Sequence, residues 1–206
     1  MKSALRILIF VIVMGTVSGG LLFGINSLTA KRIAQNEELK LKSAVLDVLE
    51  IPYRPENVLE LFDENVKILE KGDSLFYASV DGTTAFKFKG PGLWGTIEGI
   101  LSINSDLKTI RVLRILHQEE TPGLGGRIAE PEYLKGFRNK EIVPKISFVP
   151  PAKAKANNEV DAITGATGSS KALEKLLNET IQKKLKELGT DTILETDNSR
   201  LSLIIK

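Results

Sequence analysis

No cysteine occurs among the 206 residues, which excludes disulfides, iron–sulfur ligation and thiol catalysis. Histidine occurs once, at His117, at the end of an apolar run with Gln118 and Glu119 following. A single imidazole does not make a metal site, so no metal is expected and a hydrogen-bonded structural role is. Tryptophan also occurs once, at Trp94. Lysine and arginine form no long patch, and nucleic acid is therefore not an expected partner. No internal repeat is visible.

Charge is missing altogether between Ile7 and Ala30, a stretch dominated by Ile, Leu, Val, Phe and Gly. At about 1.5 Å per residue these positions extend roughly 36 Å as a helix, enough to cross a hydrocarbon core of about 30 Å. A cleaved signal would have a shorter apolar region and a small-x-small site; in Ser27-Leu28-Thr29-Ala30, Leu28 stands where a small side chain is needed. An uncleaved anchor is expected. Lys2 and Arg6 flank it on one side and Lys31, Arg32, Lys40 and Lys42 on the other, so the basic residues alone favour a cytoplasmic C-terminal domain. Beyond residue 30, 176 residues (206 minus 30) suffice for one domain with a substantial core. Without Lys2 and Arg6 the 28 basic residues become 26, equal to the 26 acidic ones, and the domain is near neutral.

The expected organisation is a tail and transmembrane anchor over 1–30, a helical stalk over 31–50 and a domain over 51–206. The stalk has an imperfect helical stripe through Ile33, Leu39, Leu41, Ala44, Val45, Val48 and Leu49, ended by Ile51-Pro52. A short helix is expected around Glu56–Phe62. Short strands follow at Val66–Leu69, Leu75–Val80 and Ala85–Phe88, then a longer hairpin of Ile97–Asn104 and Thr109–His117 around Ser105-Asp106. The near-continuous apolar run in its second arm predicts a strand buried on both faces. Pro131–Phe137 reads as a turn or two of helix and Ile146–Val149 as another strand. From Ser169 to Leu188 the residues Leu173, Leu176, Leu177, Ile181 and Leu185 share one helical face, with Gly189 as a stop. The tail, Thr192–Lys206, has β-type ends that suit an edge hairpin or an irregular extension. The fold class is α+β, with a mostly antiparallel sheet flanked by helices.

The most informative run is Asp161-Ala162-Ile163-Thr164-Gly165-Ala166-Thr167, directly before Gly168-Ser169-Ser170 and the long helical pattern. A helix start offers unpaired N–H groups and the positive end of the macrodipole, a seat for phosphate. The same composition also makes an ordinary capped helix. Thr167 alone is a poor nucleophile, with Asp161 the only base within the run. Lys171, four residues on, shares its helical face and is a candidate partner for a phosphate, or a plain solvated lysine. Glu119-Glu120-Thr121-Pro122-Gly123-Leu124-Gly125 leaves an apolar strand and turns at Pro-Gly, either as a bare turn or as a binding loop. Trp94, in Gly90-Pro91-Gly92-Leu93-Trp94-Gly95, either walls a site or anchors the sheet, and the anchoring role is preferred.

These three stretches, in their order along the chain from residue 90 to 171, resemble the RnfG/NqrC family of FMN-binding subunits of membrane redox pumps, with Thr164 where serine is common and Gly168 where a larger residue is frequent. The resemblance implies that Thr167 carries FMN through a phosphodiester, installed by a separate Mg-dependent flavin transferase from FAD. Asp161, Thr164, Gly165 and Ala166 would be recognition elements for that transferase, with Ser170 and Lys171 beside the phosphate. Glu120, Thr121, Gly123 and Leu124 would lie against the isoalloxazine ring, Glu120 and Thr121 offering hydrogen bonds and Leu124 an apolar contact, with Trp94 as a further cofactor-binding residue. It further implies an extracytoplasmic domain, against the charge count, and membrane partners.

The expected function is that of an electron-transfer subunit without independent catalysis, in an Rnf-type complex coupling ferredoxin and NAD to Na⁺ or H⁺ translocation. The Rnf branch is preferred because the NqrC branch, serving an NADH:quinone pump, is usually longer. An unflavinylated, membrane-tethered binding or assembly module and a stand-alone reductase with a soluble acceptor are the alternatives.

Overall fold

A computed structural model describes the backbone of residues 2–204 and the side chains of residues 3–189. The chain divides into two units, residues 1–41 and 42–206. The first is the greater part of helix α1 (Lys2–Val48), whose apolar side chains from Leu5 to Leu28 are exposed. It is the one helix, among the described residues, that is long and apolar enough to cross a membrane.

The second unit begins at Lys42, ahead of the expected domain boundary at 51. Ala44, Val45, Leu46, Val48 and Leu49 are buried, so the last part of the expected stalk is core. Ser102 donates its hydroxyl to the Val48 carbonyl at 2.6 Å, which satisfies one of the carbonyls left open at a helix end. The helix stops with Glu50 in the left-handed region (φ 58°) and Ile51 N–H on the Leu46 carbonyl, and Pro52 then prevents a restart. Glu50 also receives Arg138 and Arg111, which hold its carboxyl below the usual 4.5. The folded-state value is the depressed one, so this stabilisation is present above about 4.5 and is lost as pH falls through the folded value.

After α2 (Val58–Asn65), five strands form one antiparallel sheet in chain order: β1 (Val66–Lys71), β2 (Ser74–Ser79), β3 (Thr84–Pro91), β4 (Thr96–Ile103) and β5 (Ile110–Gln118). The β4–β5 turn is held by Asp106, whose carboxylate accepts from the N–H groups of Lys108 and Thr109. β5 is not buried on both faces as expected. It is an edge strand, with Ile110 and Leu113 buried but Leu116 exposed. α3 (Pro131–Lys135) is short, and β6 (Ser147–Val149) pairs in parallel with β7 (Glu159–Asp161), a strand too brief to show any period in the sequence.

α4 (Thr167–Ile204) covers the sheet. Leu173, Leu176, Leu177 and Ile181 are buried with Phe76, Phe86, Phe88 and Leu101, each such side chain contributing roughly 1.5–3 kcal/mol by removal from water. Its Asn178 side chain accepts from Ile146 N–H and donates to Ile146 C=O, at 2.9 and 2.8 Å, and Glu174 accepts from Phe148 N–H. The helix runs through Gly189 rather than stopping there, because an interior glycine costs only about 1 kcal/mol. The backbone of the expected C-terminal hairpin is helical to Ile204; its side chains, and all of Ile205 and Lys206, lie outside the described residues. The fold is therefore α+β, with a mostly antiparallel five-stranded sheet and flanking helices.

Candidate functional site

Thr167 is the first residue of α4, two positions before the expected helix start, and is exposed. The tight turn before it has Gly165 at φ +80°, a conformation that costs a residue with a Cβ roughly 1–2 kcal/mol. Thr164 and Gly165 are exposed, whereas Ala166 is buried at 6% and closes the turn with its N–H on Ile163 C=O. Ser170 N–H already bonds Ala166 C=O at 3.0 Å, so the helix's open donors belong to the residues before it. Lys171 is exposed one turn after Thr167.

Two expected ligand-facing residues have other occupations. Ser170 is fully buried, and its oxygen accepts from Ile163 N–H at 3.0 Å. Tyr133 hydroxyl lies beside it, and burial pushes that phenol up from its ordinary value. Asp161 accepts from Lys153 and Ala154 N–H groups at 2.8 and 2.9 Å, pinning the turn that precedes β7. These bonds give Asp161 the cap-like structural role that its residue type equally suggested.

The other two motifs meet α4 at its start. An ideal Cβ on Gly168 would lie 2.7 Å from Leu93 Cδ2, and one on Gly165 would lie 3.6 Å from Leu124 Cδ2. Leu93, Trp94 and Leu124 are 53%, 73% and 48% exposed, which makes an open apolar shelf beside the Thr167 turn. The exposure of Trp94 corrects the expectation that it anchors the sheet; an indole that open contributes little to a core. Leu93 was not singled out from the sequence, and its only signal was an apolar residue enclosed by a glycine-rich run. Thr121 and Gly123 are exposed, with Gly123 at φ +72°, and Thr121 C=O accepts from Leu124 and Gly126 N–H.

Glu120 is the clearest departure. It is 4% exposed; one carboxylate oxygen accepts from Leu93 N–H (2.6 Å) and Trp94 N–H (3.2 Å), and the other from Ser169 O–H (2.6 Å). A carboxylate so engaged is not presented to a ligand, contrary to the hydrogen bond to a ring expected of it. Its neighbour Glu119 accepts from Thr96 N–H at 2.9 Å and lies 3.5 Å from His117; the Thr96 bond first, then His117, holds its carboxyl below the usual range.

A cleft of about 460 Å³ lies elsewhere, between β5 and α3, and shares none of these residues. The Thr167 surface is open instead. Open geometry suits a group retained by a covalent bond, because retention then does not depend on the area buried. The exposed hydroxyl at a helix start and the apolar shelf beside it fit the phosphate end and the ring of a flavin mononucleotide.

Residues 92–182 match the FMN-binding domain family. The chain is 31% identical over 126 residues to the NqrC protein of the Na⁺-translocating NADH-quinone reductase of Pseudomonas aeruginosa, covering 55% of this chain and 48% of that protein. It is 25% identical to the RnfG protein of the ion-translocating oxidoreductase complex of Methanosarcina acetivorans, covering 87% of this chain and 94% of that protein. The crystal structure of the NqrC protein of Parabacteroides distasonis superposes with a TM-score of 0.65 at 26% identity, over 75% of this chain and 94% of that one. The chain thus spans about half the length of the Pseudomonas protein it matches. With similar proteins among both NqrC and RnfG proteins, the comparisons fit the RnfG/NqrC family that the three sequence stretches resemble.

Proposed function

We propose that the protein is a membrane-anchored electron-transfer subunit of an ion-translocating oxidoreductase complex, carrying FMN covalently on Thr167. The observation that carries this reading is an exposed hydroxyl at the first residue of α4, beside the exposed Leu93, Trp94 and Leu124. Of the four hydroxyls in 164–170, Ser169 and Ser170 are committed to buried bonds, and only Thr164 and Thr167 are exposed. Thr167 alone of these two stands on the helix, where N–H groups and the dipole stabilise an adjacent phosphate by roughly 0.3–1 kcal/mol. Lys171 adds a cation on the same face.

Bound flavin supplies electron transfer in pairs or singly. The chain's own contribution is to hold the phosphate, offer Leu93, Leu124 and Trp94 as apolar contacts for the ring, and offer the exposed Thr121 as a polar one. No independent turnover is expected of the subunit. Attachment is the work of a separate flavin transferase using FAD, which meets the exposed Thr164 and Gly165, while Asp161 and the buried Ala166 shape the segment behind them. The apolar stretch of α1 anchors the domain on the extracytoplasmic face, with 1–30 as tail and anchor, 31–50 as stalk and the flavin domain beyond, which the core position of 44–49 extends back to Lys42.

An RnfG role in an Rnf-type complex, between ferredoxin and NAD, is favoured by the match over 94% of the Methanosarcina protein. An NqrC role in a Na⁺-translocating NADH:quinone reductase is the second reading, favoured by the higher identity of the Pseudomonas protein. Intact-protein mass spectrometry of the membrane-extracted chain, with its co-purifying subunits, tests both. One FMN added, and lost in Thr167→Ala, is the expected result. Unmodified mass after production with a transferase would instead leave the unflavinylated assembly module standing.

A further inference from the structure

We infer that Glu120 is a positioning residue, a buried latch that ties the Gly92–Gly95 turn to the first turn of α4 and so sets the apolar shelf beside Thr167. The latch stands on the geometry alone; its consequence for a flavin rests on the function proposed above.

Two successive N–H groups, those of Leu93 and Trp94, converge on one oxygen of Glu120. Consecutive backbone donors of this kind form a concave nest that collects an anion. The anion here is internal. The second oxygen takes the Ser169 hydroxyl, which is itself 3% exposed and lies 49 residues away in sequence. One side chain therefore joins two distant segments. Its own backbone is fixed as well, because Glu120 N–H donates to Gln118 Oε1 at 2.6 Å.

The space around the carboxylate is kept by glycines. A Cβ on Gly125 would come within 2.9 Å of one Glu120 oxygen and 3.0 Å of Ser169 Cβ, and a Cβ on Gly92 would press on the other oxygen. The motif glycines on both loops thus make room for the latch. The backbone of the shelf is held from below while its side chains stay open above, with Leu93 53% and Trp94 73% exposed. Bonds to an ionised carboxylate are the strong class of hydrogen bond. Glu120 is not a member of the apolar core, so cutting its bonds releases the shelf and leaves the sheet in place.

Hydrogen exchange on the full chain, extracted in detergent and kept free of flavin by Thr167→Ala, tests the latch. In Glu120→Ala the Leu93 and Trp94 N–H groups and the Ser169 hydroxyl all lose their acceptor, and exchange at Leu93 and Trp94 should rise about tenfold, with β3 and β4 amides unchanged. Unchanged exchange at 93 and 94 overturns the latch. Ser169→Ala cuts the α4 arm alone, and it serves where Glu120→Ala does not fold. In chains with an intact Thr167, produced with a flavin transferase, either variant should change the quenching between flavin and Trp94, the single tryptophan, and shift the flavin midpoint potential at equal flavin content. Wild-type quenching and potential in both variants overturn the positioning role. A wild-type chain without added flavin mass would count against the proposed function, while the exchange measurement would still decide the latch.

Discussion

Thr164 and Thr167 stand on the exposed side of the segment that opens α4, while Ser169 and Ser170, next along the chain, are 3% and 0% exposed. All four are small hydroxyl residues within one short stretch, and as letters they look interchangeable. The helix separates them. Starting at Thr167, it turns Ser169 toward Glu120 and Ser170 toward Ile163 N–H, and it leaves Thr167 exposed, with Leu93 against the neighbouring Gly168 and Leu124 near Gly165. The same chemical group serves as a candidate attachment point on one face and as a buried fastener on the other, and what differs is the direction of the side chain.

Substitutions along the segment can break that division. Thr167→Ala should remove the covalent flavin entirely, read as loss of one FMN from the intact mass after production with a transferase. Retention of flavin on another hydroxyl would abolish the distinction. Ser170→Ala leaves the Ile163 N–H buried without its acceptor and should destabilise the domain by about 1–3 kcal/mol in chemical denaturation, with flavin attachment kept. A Ser170→Ala chain of full stability that lacks flavin would put Ser170 on the ligand side after all. Gly165→Ala, at φ +80° and with Leu124 at ordinary contact distance, should cost about 1–2 kcal/mol from backbone strain rather than crowding. Equal stability of Gly165→Ala and the parent would mean the turn relaxes freely. Lys171→Ala should give the smallest change, roughly 0.3–1 kcal/mol in the flavin's reduction free energy, fading as salt rises. No change in potential or stability would leave Lys171 as a solvated cation.

Much of this was legible beforehand. The uncharged stretch from Ile7 to Ala30 announced a long apolar helix, and Val66–Leu69 through Thr109–His117 gave the five strands nearly in place. The Leu173 to Ile181 stripe identified the face of α4 that packs on the sheet. The misses share a cause. β5 is apolar on both faces, yet its position at the sheet edge leaves Leu116 open. Trp94 reads as a core anchor by type, and the family resemblance implied that Glu120 is a ligand contact; one is open and the other sealed. Gly189 has the residue type of a helix stop, and α4 runs through it.

Local order in the chain determined the elements, the apolar stretch and the small-residue turn before α4, because period, charge and backbone freedom act between near neighbours. Which hydroxyl faces water, and which carboxylate holds three segments together, was decided only when residues 92–95, 118–125 and 166–170 came into contact. A hydrogen bond across 49 residues leaves no periodic mark in a sequence, since it depends on where two distant backbones stop relative to each other.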